Sequence, residues 1–240
     1  MTVPEAAVHL GVHPSRVREL LHARTLTGRR VGRQWLIKVD DLDRHRELIR
    51  GGATSRAMSA RTAWAAGALL DGQDTAWLAS SERSRLKSRL LQHAEEVATF
   101  RRWLSARQTR VERFRVADPD IPALLKEDGV VATGISAAGA HGARLSAVGE
   151  ADAYVTAAVA SALKKKYFLI ASDRGNLLLR TVDGSWHTDT AVQCDGTPTT
   201  TRLMTALDLL DGTDTRSATA GRALLRKALR SLTTAEALRS

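Results

Sequence analysis

Ser15, Arg16, Arg18, Glu19 and His22 fall along one short segment of the chain, and Arg29, Arg30 and Arg33 follow just beyond it. Arginine donates two hydrogen bonds in a fork that matches guanine O6 and N7, glutamate accepts from cytosine N4, and serine bonds either a base or a phosphate. Further arginines can hold the phosphate backbone. Such a set can read a duplex and grip it, provided that the side chains project from one rigid frame.

The frame is legible in the spacing. Thr2 followed by Glu5 is a capping box at a helix start, and Ala6, Ala7 and Leu10 form the buried side of the helix that follows. Gly11 ends it, because glycine adopts the positive φ of a tight inter-helix turn. Pro14 suits the first turn of a second helix. There Val17, Leu20 and Leu21 recur at i, i+3 and i+4 and face inward, which turns Ser15, Glu19 and His22 outward with Arg16 and Arg18 on their flanks. Two helices of this kind are equally consistent with a plain hairpin and a solvated face. The next stretch favours the nucleic-acid reading. Leu26 to Val31 and Gln34 to Lys38 are two short strands joined at Gly32-Arg33, and Arg29, Arg30 and Arg33 make that hairpin basic, as a wing beside a recognition helix would be. Trp35 is expected to pack the hairpin onto the helices, and Asp40 or Asp41 to cap a third helix with Leu42, Leu48 and Ile49.

With GVHPSRVREL and RRVGRQWLI as anchors, this order of elements resembles the winged helix-turn-helix of the excisionase and MerR-like families. The resemblance implies that residues 1–50 bind double-stranded DNA. It departs at His13, where such domains often carry a small capping serine.

Composition bounds the remainder. The sequence has 240 residues, 43% hydrophobic and 4% aromatic, an ordinary balance for a globular chain apart from the few aromatics. No apolar run is long enough to span a membrane and Met1 leads straight into the capping box, so a cytoplasmic location without a membrane partner is expected. The single cysteine, Cys194, excludes an internal disulfide and a cysteine-rich zinc site, and a structural role is expected for it. Of the formal net charge of +10, residues 1–50 carry 10 Lys/Arg against 6 Asp/Glu, residues 51–115 carry 12 against 6, and residues 116–240 carry 14 against 14. All of the excess therefore lies in the first half, the distribution expected if that half meets a polyanion.

Gly51 to Ser55 read as a small-residue hinge, and residues 51–106 as a helical connector. Its helices run from Ala60 to Leu70, from Ser80 or Ser81 as cap to His93, and from Glu95 to Ser105. Arg83, Arg85, Lys87 and Arg89 either extend the DNA footprint or form a solvated face. Residues 107–240 read as an α+β domain. Its expected strands are Arg110 to Val116, Val130 to Thr133, Ala153 to Val155, a buried Phe168 to Ala171, and Leu177 to Val182. Its expected helices are a short one holding Ile121, Leu124 and Leu125, a small-residue one over Gly134 to Gly142 lying tight against the sheet, one capped by Thr156, and two at the end. In the last of these Leu224, Leu225, Ala228 and Leu232 are buried, and Arg222, Arg226 and Arg230 form a stripe at i, i+4, i+8. The glycine-rich stretch lacks the spacing and the lysine of a phosphate loop, and His141 is expected to pack or cap. Asp152 and the run Lys164-Lys165-Lys166 invite a metal-nuclease reading. That chemistry needs two converging acids, and Phe168 to Ala171 supplies none. No catalytic residue, metal ligand or cofactor is assigned.

The succession ATGISAAGAHG, EADAYV, KKYFLI, GNLLLRTVDGSW and TALDLLDGTDTRSATAGRALL is similar to the C-terminal half of AbiEi-type antitoxins. That resemblance implies a repressor that autoregulates its operon and counters a nucleotidyltransferase-like toxin. One winged domain covers a short site, so a second copy on DNA is expected. The expectation is a non-enzymatic α+β repressor and antitoxin. The alternatives are an excisionase-like or ligand-sensing DNA-binding factor, and a nuclease with a winged head.

Overall fold

The computed structural model describes all residues except 23–25, 33, 40, 44–56, 93–96, 213 and 238–240, and it describes the backbone alone at residues 22, 31 and 231–237. The chain divides into two compact units, Met1–Ser55 and Arg56–Ser240.

In the first unit, α1 (Val3–Leu10) and α2 (Pro14–His22) precede a two-stranded antiparallel hairpin, β1 (Gly28–Val31) and β2 (Gln34–Ile37). Glu5 accepts the Thr2 amide at 2.8 Å, so the expected capping interaction forms, and this bond holds the Glu5 carboxyl below its usual range. Gly11 closes α1 at φ 67° and Gly32 turns the hairpin at φ 60°. Val3, Ala6, Ala7, Val17, Leu20, Leu21, Leu26, Ile37 and Leu42 form the core, with Leu10 and Trp35 half-buried against it. Trp35 therefore fastens the hairpin as expected. The Ile37 amide donates to Met1 O at 2.8 Å, and His9 meets Asp43 at 2.6 Å. Val39 and Asp41 to Asp43 are already helical, so Asp41 does not cap this helix, and Asp40, Leu48, Ile49 and the hinge at Gly51 to Ser55 lie outside the described residues.

The second unit is built on a seven-stranded mixed sheet flanked by helices, so the architecture is α+β. Its strands are β3 (Arg110–Arg115), β4 (Val131–Ala132), β5 (Ala151–Thr156), β6 (Ile170–Ala171), β7 (Leu177–Val182), β8 (Val192–Cys194) and β9 (Thr197–Thr199), in the order β6-β3-β7-β5-β4-β9-β8. The pairs β5/β7 and β4/β9 are parallel and the others antiparallel. Its helices are α3 (Ala60–Leu70), α4 (Ser80–Gln92), α5 (Val97–Trp103), α6 (Ile121–Leu124), α7 (Gly134–Ala138), α8 (Ala157–Lys166), α9 (Trp186–Asp189), α10 (Arg202–Asp211) and α11 (Thr215–Ala237).

Residues 56–106 are not a separate connector. Trp64, Phe100, Trp103 and Leu104 share one core with Tyr154, Val182, Leu203, Leu207, Leu224 and Leu225. Trp64 packs edge-on against Tyr154 with ring centroids 5.0 Å apart, and its indole donates to Arg107 O at 3.2 Å. The first turn of α4 also differs from expectation. Ser80 opens the helix, and Glu82 reaches back to accept the Ala79 amide at 2.9 Å, so neither serine caps it.

The largest departure is at Phe168 to Ala171. An apolar run is expected to be buried, yet β6 is a two-residue strand at the sheet edge, with Phe168 84% and Ile170 67% exposed. Phe168 has φ 48°, which an L-residue adopts at a cost, so the run is bent at its first residue before it can pair for any length. Three local expectations hold, although the small-residue helix is α-helical only from Gly134 to Ala138 and the hairpin of β8 and β9 was not expected. Thr156 accepts the Val159 amide at 3.3 Å and caps α8. Small residues let α7 lie close to β5, where a β-carbon on Gly134 would stand 2.3 Å from Asp152 Oδ2. His141 is tied to Thr200 O at 2.8 Å, a packing role, and burial pushes its pKa down.

A charged cluster occupies the interior of this unit. Arg180 on β7 donates from Nε and Nη2 to the two carboxylate oxygens of Asp152 on β5, at 2.8 and 2.9 Å. Arg107 donates to Asp208 Oδ1 at 2.9 Å and bonds Asp211, and Arg101 also reaches Asp211. Tyr154 and Thr133 donate to Asp208 at 3.1 and 2.6 Å. Removing such groups from water is costly, and it is tolerated here because each carboxylate meets at least one guanidinium, with two hydroxyl donors added at Asp208. Both Asp152 oxygens are thus engaged by Arg180. Lys164 pairs with Glu112 at 3.3 Å and Lys166 with Glu127 at 2.6 Å. Cys194 is a half-buried free thiol on β8.

Candidate nucleic-acid interface

The buried face of α2 decides where its polar residues point. Val17, Leu20 and Leu21 are 0%, 7% and 4% exposed, so the 100° step per residue carries Ser15, Arg16, Arg18 and Glu19 to solvent, and all four are exposed. Arg16 Nη1 bonds Glu19 Oε2 at 2.8 Å, one turn along the helix, with both side chains more than half exposed. An ion pair this open is weak, which leaves both groups ready to exchange partners with a base edge. Arg18 sits on the same exposed surface. His22 closes the helix, and its side chain is outside the described set.

His13, the departure noted in the sequence, takes over the capping function. Its Nδ1 accepts the Ser15 amide at 3.3 Å and lies 2.9 Å from Ser15 Oγ, while its carbonyl accepts the Arg16 amide at 2.9 Å. A ring nitrogen thus satisfies a free amide of the first turn, as a serine hydroxyl would. Ser15 is held by that contact, so the same interaction that starts α2 fixes the first residue of its outer face.

The hairpin separates the basic residues that the sequence groups together. Arg29 pairs with Leu36 and Arg30 with Trp35 across the ladder. Successive strand residues project from opposite faces, so Arg30 shares the face of the packed Trp35 whereas Arg29 shares that of Leu36. Both are exposed. Arg33, at the hairpin tip, lies outside the described residues.

The charged cluster of the second unit was not anticipated from the sequence. Its signal was present in Arg180 within the apolar strand LLLRTV and Asp208 within the apolar helix LMTALDLLD, since a charge in such a setting is buried only with a partner. Among the described residues no group of three or more His, Cys, Asp or Glu is placed to hold a metal ion, and no helix is long and apolar enough to cross a membrane.

Residues 1–47 match the family model of a helix-turn-helix domain. No curated protein matches the chain, and no solved structure matches it.

Proposed function

We propose that the chain is a non-enzymatic, sequence-specific DNA-binding transcriptional regulator. The observation that carries this reading is the seam of Val17, Leu20 and Leu21, which turns Ser15, Arg16, Arg18 and Glu19 to solvent on a segment that matches a helix-turn-helix family. In this reading α2 enters the major groove, those residues and His22 face base edges, and Arg29, Arg30 and Arg33 hold the backbone. A second copy of the chain on a repeated half-site raises specificity beyond what one short contact provides. Footprinting on the chain's own promoter, followed by titration of variants, is the test. Arg16→Ala or Arg18→Ala costs about 1–3 kcal/mol on the protected site and little on random duplex. Equal losses on both DNAs contradict base reading.

The finer reading is an antitoxin that represses its own operon and counters a nucleotidyltransferase-like toxin from the cytoplasm. What supports it is the resemblance to that family of the short segments quoted above from residues 107–232. Co-expression with a toxin gene adjacent to this one tests it, with restored growth as the expected result. Undiminished toxicity at full expression of the soluble chain removes that role and leaves the DNA-binding proposal in place.

A further inference from the structure

The terminal helix carries a second basic surface. Along α11, Ser217, Gly221, Leu224, Leu225, Ala228 and Leu229 are buried, and Arg216, Thr219, Arg222, Ala223, Arg226, Lys227 and Arg230 are exposed. At 3.6 residues per turn the exposed set spans an arc of roughly 140° and about 21 Å of helix, close to six phosphate steps of one DNA strand. Five cations and no acid occupy that face between Arg216 and Arg230. Arg216, Arg222 and Arg226 have no acidic partner among the described residues. Arg144, from the segment before β5, joins Arg216 and Thr219 in lining a shallow groove at the start of the helix. The other basic helix is different. On α4, Arg83 pairs with Asp74 at 3.4 Å and Arg89 stacks over Trp103 at 4.2 Å, whereas Arg85 there and Arg230 on α11 alike donate to the carbonyl four residues back, at 3.2 and 3.4 Å.

We propose that the exposed face of α11 is a second duplex-binding surface, which takes the phosphate backbone without reading bases. This rests on the proposal that the chain binds DNA. The chemistry narrows the partner. An amphipathic helix that docks on a lipid surface inserts its apolar side, and here that side is sealed into the core against α10. A tight protein partner would need a large apolar or aromatic anchor, and the exposed face offers Thr219 and Ala223 instead. What remains is charge presented at helical spacing on a rigid support. Gly221 secures that support, since a β-carbon there would lie 2.7 Å from Ala206 O, so α10 and α11 are in backbone contact.

The experiment compares the full-length chain with R222Q/R226Q by measuring the dissociation constant across a salt series, on its own promoter fragment and on a scrambled duplex. Each phosphate neutralised contributes about 0.9 to the slope of log affinity against log salt. The double variant is expected to lower that slope by about 2 on both DNAs, with the ratio of the two affinities unchanged, and R222K/R226K is expected to keep the wild-type slope. An unchanged urea midpoint confirms that the variants fold. A slope unaltered by R222Q/R226Q overturns the inference, and so does unaltered DNA binding accompanied by lost capture on phosphatidylserine vesicles. If the wild-type chain binds neither DNA, the proposed function itself fails. If it binds its promoter and only the slope test is negative, the α11 surface alone is refuted.

Discussion

Asp152 and Arg180 meet across neighbouring parallel strands, with two parallel N–H to oxygen bonds of 2.8 and 2.9 Å inside the second unit. Arg180 also donates to Gln108 at 2.9 Å and lies 3.3 Å from Asp208, so one guanidinium ties β5 and β7 to α10. Breaking a buried pair by removing one partner leaves a charge with no compensation. Arg180→Met is therefore expected to destabilise the second unit by about 3–5 kcal/mol in urea unfolding. Combining it with Asp152→Leu should recover part of that loss. A double variant less stable than either single one would show that packing, and not the pair, dominates the site.

Asp211 gives the pH dependence a sign. Its burial alone would raise the pKa, but Arg107, Arg180 and Arg101 outweigh this and bring it down to about 2. A carboxyl whose folded-state value lies below its unfolded value, about 3.9, stabilises the fold fully above that value and loses the contribution as pH falls toward the folded value. The contribution of Asp211 should therefore fade between about pH 4 and pH 2. Asp211→Asn should lower stability at neutral pH and flatten that acid limb in circular dichroism titrations. An unchanged limb would assign the acid sensitivity to other carboxylates.

The start of α2 depends on His13. Removing a side-chain cap costs about 0.5–2 kcal/mol, so His13→Ala should lower the melting temperature of the first unit, and His13→Ser should restore it. Equal stability of all three proteins would mean that the ring does not cap.

Phe168 is a site where the protein carries strain. An L-residue in the left-handed region costs about 1–2 kcal/mol, which Gly avoids, and the Phe168 ring contributes little burial in return. Phe168→Gly should be neutral or stabilising by up to about 1 kcal/mol, despite the greater chain freedom that glycine adds to the unfolded state. A loss above that would show that the ring has packing value.

Gly134→Ala should be among the most damaging small substitutions. The position has φ 47°, and a β-carbon would meet Asp152 Oδ2 at 2.3 Å. Both strain and collision with the buried ion pair act together, and overpacking alone costs about 1–3 kcal/mol. A melting temperature equal to wild type would place α7 further from β5 than the structure has it.

The first unit was largely readable because its cues are local. Thr2 and Glu5, Gly11, and Val17 with Leu20 and Leu21 each act within one turn of helix, and all sit where those cues place them. The second unit was readable in its elements but not in their association. Trp64 and Tyr154 are ninety residues apart, and no period along α3 announces that its partner is a strand of the sheet. At Phe168 to Ala171 apolar content does not translate into burial, because the backbone angle at Phe168 decides where the run goes. At the candidate interface, the outward set on α2 follows from helical spacing, whereas the separation of Arg29 from Arg30 requires the ladder register.

The core shared by α3, α5, β5 and α10 determines where this protein can be divided. A cut at residue 107 would strip Trp64, Phe100 and Trp103 from the sheet and leave Tyr154 facing water, so a shortened body would be sticky and insoluble. The sheet cannot be isolated from the helices that precede it, and trimming the body there dismantles it.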